Sequence, residues 1–180
     1  MNSKSILRAL VILLVLAFTI GCDQVSKSIV RKKVSDYQTI NFIHNHITIE
    51  KVENTGAFLS MGDSVSKPVR IIFLNIVPLI LILASLVYIL IKINLNRITL
   101  LAIILMIGGG IGNIYDRIVH GSVTDFLYID LGGIFHTGVF NVADLCITVG
   151  ISMILLQSWF KKRPVVEVET LKENLTNENL

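Results

Sequence analysis

The apolar positions of this chain come in long blocks, with the polar side chains gathered between them. A helix needs about 20 predominantly apolar residues to cross the hydrocarbon core of a bilayer. Four segments meet or approach that length: Ile6 to about Gly21, Val69 to Ile91, Ile98 to about Ile114, and Val139 to Phe160. The first is short, but the residues after it can continue as helix. Asp23, Gln24, Lys27, Arg31 and Lys32 then fall at or beyond the interface. Between the first two blocks, Ile47-Thr48-Ile49-Glu50-Lys51-Val52 has strand character, although its alternation breaks after Ile49. Ile40-Asn41-Phe42 is a candidate partner strand, and Ser122 to Ile129 is also strand-prone. The pattern predicts an all-α membrane protein of four transmembrane helices with a small extramembrane β-sheet. It divides the chain into a four-span unit over 1–163 and a polar tail over 164–180 that is expected to be disordered.

The first block invites two other readings. Lys4 and Arg8 give it the basic flank of a secretory signal peptide, and Thr19-Ile20-Gly21-Cys22 looks like the lipobox of a lipoprotein precursor. Three further spans favour a permanent first helix. Thr19 stands where a lipobox usually carries leucine, so Cys22 reads as a small helix residue. Four spans place both termini on one side and the loops Asp23–Pro68 and Tyr115–Gly138 on the other. Lys161-Lys162-Arg163, with Lys92 and Arg97, favours cytoplasmic termini under the positive-inside rule. Lys27, Arg31, Lys32, Lys33, Lys51 and Lys67 in the first long loop argue the opposite, so charge counting leaves the orientation open.

Composition agrees with a membrane protein. Of 180 residues, 53% are hydrophobic and 16% charged, against about 25% charged in a soluble domain. The net charge of +3 with few aromatics among the basic residues gives no support to a nucleic-acid surface. Cys22 and Cys146 are far apart and make neither a disulfide framework nor a metal site. The four histidines are scattered over two loops, so no metal or other cofactor is expected.

Polar residues are scarce in the apolar half of the chain, which makes their clustering informative. One cluster, Gly108 to Arg117, closes the third block. A second, Ser122-Val123-Thr124-Asp125-Phe126, follows in the loop, and a third, Phe140-Asn141-Val142-Ala143-Asp144, opens the last block. All three belong on the same side at similar depth. On a continued helix Asn113 and Arg117 share a face at i and i+4, as do Asn141 and Asp144 at i and i+3. If those faces meet, Asp125 and Asp144 approach each other in a partly dehydrated place. Two close carboxylates resist double ionisation and share a proton, so one can activate water while the other donates to a scissile carbonyl. Blander readings exist for single members of the clusters. Asp116 beside Arg117 can be an ion pair, Asn141 can be a helix N-cap, and Gly108 with Gly112 is a small-xxx-small packing pair. Asp144, expected inside the last helix, is where an ionisable group is costly and usually functional.

At these residues the sequence resembles the lipoprotein signal peptidase (signal peptidase II) family. The matching pieces are Asp23-Gln24 with Lys27, Asn54-Thr55-Gly56-Ala57-Phe58, Gly109 to Arg117, Val123-Thr124-Asp125-Phe126, and Phe140-Asn141-Val142-Ala143-Asp144, in the family's order. The resemblance implies an aspartic endopeptidase of the cell inner membrane with both termini cytoplasmic. Its sheet and active site would lie at the periplasmic face. It implies cleavage of diacylglyceryl-modified prolipoproteins just before the lipidated cysteine, contact with membrane lipids, and inhibition by cyclic peptide antibiotics. By the same resemblance Asp125 and Asp144 are the catalytic pair. Asn54, Asn113, Arg117 and Asn141 orient substrate or support the pair, and Asp23, Lys27, Gly56 and Asp116 are structural. A prepilin-type diaspartyl peptidase expects a Gly-x-Gly-Asp element that this chain lacks. A transporter subunit using the two aspartates as a cation site usually has more spans or repeats. A membrane scaffold leaves the polar clustering unexplained. Release of a signal peptide from a lipidated precursor separates the three.

Overall fold

The chain's apolar blocks form helices that leave their large side chains facing outward, as a lipid environment permits. The structure is a computed structural model that describes residues 3–56 and 66–160. Helix α1 runs over Ser3–Lys33, strand β1 over Thr39–Phe42 and strand β2 over Ile47–Asn54. The second span is helix α2 (Lys67–Ile71), a π-helical turn (Ile72–Ile76) and helix α3 (Val77–Ile91). Helix α4 (Arg97–Val119), strand β3 (Val123–Ile129) and helix α5 (Val142–Phe160) complete the order. Among the described residues, four helical segments are long and apolar enough to cross a membrane: Ile6–Lys33, Pro68–Ile91, Arg97–Val119 and Val142–Phe160. Leu14, Phe18, Leu81, Leu155 and Trp159 are among the side chains exposed on their outer faces.

Helix α4 is the centre of the bundle, packed against α1, α3 and α5. Its small residues set the distances. A methyl group on Gly109 would run into the Ala143 carbonyl of α5, and one on Gly112 into the Asp23 carboxylate of α1. Gly108 meets Thr19 in the same way. The small-xxx-small pair is therefore a packing device, as such pairs commonly are. Ile12, Ile82, Ile89, Ile104, Ile107 and Ile114 fill the remaining interior. Asn96 caps the start of α4, its side chain accepting from the Ile98 N–H at 2.9 Å. Gly121, with φ of +79°, takes the chain out of its far end in the left-handed conformation that glycine tolerates.

At the end of the bundle where α1 and α4 finish and α5 begins lies an antiparallel sheet in the order β1-β2-β3. The expected strands are all present. The break in alternation after Ile49 has a physical cause: the β2–β3 register shifts between Ile49 and Val52, so the strand carries an irregularity there. Val30 of α1, Val34 just past its end and Phe126 of β3 bury together and fix the sheet to the bundle.

One expectation changes. Helix α5 starts at Val142, not Val139, because Phe140 bridges Leu127 as an extended residue. Helix α1, 31 residues or about 46 Å long, exceeds a hydrocarbon core of about 30 Å. Its Asp23 and Lys27 are wholly buried within protein. Arg31 of the basic run also turns inward, while Lys32 and Lys33 stay exposed. Ala57 and Phe58 of the second motif and the tail with Lys161-Lys162-Arg163 lie outside the described residues.

Candidate active site

Asp125 stands in the middle of β3, with Val52 as its partner across the ladder. It is 3% exposed, and both carboxyl oxygens accept hydrogen bonds. Asn54 Nδ2 donates to Oδ2 at 2.9 Å and Asn141 Nδ2 to Oδ1 at 2.6 Å. Burial pushes the Asp125 carboxyl up to about 6, the two asparagine donors and Lys27 work against that, and the charge of Asp144 adds to it.

Asp144 lies inside the last helix as expected, half-buried in the first turn of α5. Asn141 is the residue that caps this helix. Its side-chain oxygen accepts from the Asp144 N–H at 2.9 Å, and its own N–H donates to Asp144 Oδ2 at 3.3 Å. This is the reciprocal geometry of a capping box with an aspartate in the glutamate's place. Asn141 therefore caps the helix and bridges the carboxylates at once: its backbone holds Asp144 while its amide holds Asp125. Asp144 Oδ1 accepts from Asn113 Nδ2 at 2.8 Å, so the faces of α4 and α5 do meet.

Behind Asn113 lies a buried ionic cluster. The Lys27 ammonium sits 2.9 Å from Asp23 Oδ2, Asp116 Oδ2 and Asn113 Oδ1 alike, matching in number the three donors it carries. Asp23 Oδ1 accepts from the Ala143 N–H at 2.9 Å, which ties the cluster to the first turn of α5. Gln24 Nε2 donates to Asp23, to the Gly112 carbonyl and to Asp116. Asp116 thus pairs with α1 and not with its neighbour Arg117. Successive helix residues point about 100° apart, which puts the two on different faces. Arg117 donates through Nη2 to the Gly56 carbonyl at 3.2 Å, and Gly56 N–H is held by Asn54 Oδ1 at 3.0 Å.

Sequence reasoning passed over Arg31 and Glu53. Arg31 Nη1 reaches Thr124 Oγ1 at 3.0 Å and Asp116 Oδ1 at 3.4 Å, and Glu53 accepts from Ser122 and Thr124. The signal was present for Arg31. Asp23, Lys27 and Arg31 stand at i, i+4 and i+8, one helical face of alternating opportunity for ion pairing. Among the described residues, no three His, Cys, Asp or Glu side chains group closely enough to hold a metal ion.

A model of the family described as signal peptidase (SPase) II matches residues 15–160. The chain belongs to the signal peptidase II family. It is 33% identical over 145 residues to the lipoprotein signal peptidase of Borrelia hermsii, covering 78% of this chain and 84% of that protein. It is 36% identical over 142 residues to the lipoprotein signal peptidase of Pseudomonas aeruginosa, covering 78% and 83%. A solved structure described as a bacterial membrane enzyme superposes with a TM-score of 0.73 at 28% identity, covering 86% of this chain and 92% of that one. A second so described gives 0.72 at 27%. Membership makes this chain a multi-pass membrane peptidase that removes signal peptides from prolipoproteins.

Proposed function

We propose that this signal peptidase II is an aspartic endopeptidase whose catalytic pair is Asp125 and Asp144. It cuts diacylglyceryl-modified prolipoproteins just before the lipidated cysteine. The observation that carries the reading is Asn141, which donates to both carboxylates from one residue. The pair shares a proton and titrates as a unit. The ionised member takes a proton from water as the water oxygen adds to the scissile carbonyl carbon, and the other donates its proton to the carbonyl oxygen. Collapse of the tetrahedral adduct breaks the C–N bond, and the nitrogen leaves with a proton from the pair. Asn54 and Asn141 hold Asp125, Asn113 holds Asp144, and Arg117 holds the Gly56 turn beside them. Asp23, Lys27 and Asp116 tie α1 to α4 and give Asn113 a fixed acceptor geometry.

In the cell both termini are cytoplasmic, and the sheet and active site lie at the periplasmic face of the inner membrane. Membrane lipids surround the spans, and cyclic peptide antibiotics that occupy the site inhibit the enzyme. Residues 1–163 form the catalytic unit and 164–180 are dispensable for it.

Asp125→Asn and Asp144→Asn test the reading. Asparagine keeps the shape but neither shares a proton nor acts as base, and such groups are worth about 10²–10⁴-fold. Each purified variant should fold and lose at least that much turnover on a lipidated precursor. Near-parental cleavage by either variant overturns the assignment.

A further inference from the structure

A cavity of 340 Å³ opens beside the candidate site, lined by Thr55, Arg70, Asn75, Arg117 and Gly121 among others. That volume is within the range of small-ligand pockets. Asn75 is the only polar side chain from residue 71 through 84 in the second span. A polar group at such a place is a functional candidate by default.

The backbone is distorted where Asn75 sits. Residues Ile72–Ile76 form a π-helical turn, and the Val77 N–H reaches back to the Ile72 carbonyl. Pro78 explains the distortion. It has no N–H for the Leu74 carbonyl, and its ring crowds that carbonyl, so the turn widens. The widened turn carries Asn75 on the wall of the cavity.

Two residues of that wall each carry a buried polar atom with no hydrogen-bond partner among the described residues: Asn75 its acceptor Oδ1 and Arg117 its donor Nε–H. A phosphate or carboxylate supplies only acceptors and leaves Asn75 Oδ1 unmatched. A peptide unit supplies one carbonyl and one N–H, and so matches both. The family's substrates are polypeptide chains, and the cavity adjoins Thr55 and Arg117, next to the Gly56 turn.

We infer that this cavity is a subsite for the extended backbone of the precursor near its cleavage point, in which Asn75 Oδ1 accepts a substrate amide N–H and Arg117 Nε donates to a substrate carbonyl. Asn75 is thereby a positioning residue for the peptidase reaction, and the inference rests on the chain's reading as a peptidase. The π-helical turn is the local device that aims it.

An N-methyl scan tests this. Synthetic diacylglyceryl-cysteine precursor peptides, each methylated at one backbone nitrogen near the cleavage point, are cleaved by the purified full chain and by Asn75→Ala. With the parent enzyme, methylation at one position should lower kcat/KM about tenfold beyond the other positions. Asn75→Ala should cleave the unmethylated peptide about tenfold less well and show no added loss at that position. Asn75→Asp, which keeps an acceptor, should stay within about threefold of the parent. Asn75→Leu, closer in volume, gives the same comparison if the alanine variant is unstable. The inference is overturned if Asn75→Ala cleaves the unmethylated peptide within twofold of the parent. It is equally overturned if its losses multiply with those of methylation at every position. A parent that leaves the unmethylated peptide intact overturns the peptidase reading itself, and this inference with it.

Discussion

Replacing Lys27 by methionine removes one ammonium and leaves two carboxylates, Asp23 and Asp116, buried where it stood. All three side chains are 0% exposed, and each carboxylate lies 2.9 Å from Nζ. At an effective dielectric of about 20, each such pair attracts by roughly 6 kcal/mol. Desolvating the three ions costs several kcal/mol apiece, so the intact cluster adds little net stability. Breaking it is different, because the carboxylates keep their desolvation cost and lose their counter-charge. Removing one partner of a buried pair typically costs about 3–5 kcal/mol. Arg31 offsets part of this, as it stays within 3.4 Å of Asp116. For a chain of this size each kcal/mol is about 2–4 °C in Tm, so Lys27→Met should melt roughly 6–20 °C below the parent in detergent. The neutralised pair Lys27→Met with Asp116→Asn should recover a large part of the loss, since one orphaned charge goes with its partner. Turnover should fall with the single change even where the protein remains folded, because Asn113 loses the ammonium on its Oδ1 and is freer to leave Asp144. A single variant within 2 °C of the parent refutes the argument. So does a double variant that melts at the sum of the two separate losses.

The Asp125 carboxyl rises from 3.8 to about 6 in the folded chain. Stability from that group is therefore full below about pH 4 and declines as pH climbs through about 6, by up to roughly 3 kcal/mol at about 1.36 kcal/mol per unit. Asp125→Asn lacks this decline, so its Tm should gain on the parent between pH 4 and 7; a constant gap disproves the shift. Gly109→Ala presses a methyl group into the Ala143 carbonyl, parting α4 from α5. It should cost stability on the order of 1–3 kcal/mol and at least tenfold in turnover, read by thermal melts and precursor cleavage. Phe140→Pro deletes the N–H that bonds the Leu127 carbonyl at 2.9 Å, and should lower turnover at least tenfold. Two glycines inserted after Gly132 should cost less than threefold in the same assay.

The spans and strands were legible because hydrophobic length and alternation follow directly from what each element must bury. The three polar clusters were legible too, since a polar side chain in an apolar block needs a reason. Pairings between distant segments were less so. Neighbourhood in sequence suggested Asp116 with Arg117, yet a helix turns adjacent residues apart, and the partner of Asp116 came from Lys27 on another helix. The sequence places Arg31 only at or beyond the interface, and its contacts with Thr124 and Asp116 depend on the fold. The role of Asn75 was hidden for another reason. One asparagine in a span says little until the Pro78 distortion and the cavity it lines are both in view.

The meeting of Asp125 and Asp144 depends on one stretch of register. Phe126 N–H and Leu127 N–H both donate to the Phe140 carbonyl, at 3.0 and 2.8 Å, and Phe140 N–H donates back to Leu127 at 2.9 Å. This pairing sets residue 141 beside residue 125, and so brings the cap of α5 to the middle of β3. The pleat has a period of two, so a slip of one residue would turn Asp125 to the other face and away from Asn141. Val30, Val34 and Phe126 bury together on the correct register and oppose that slip. The loop between Asp130 and His136 carries little of this constraint, since Leu131, Ile134 and Phe135 are exposed. Fold and site are thus decided by the same few contacts. The hydrophobic anchor of β3 selects the register, the register places Asn141, and Asn141 holds the two carboxylates together.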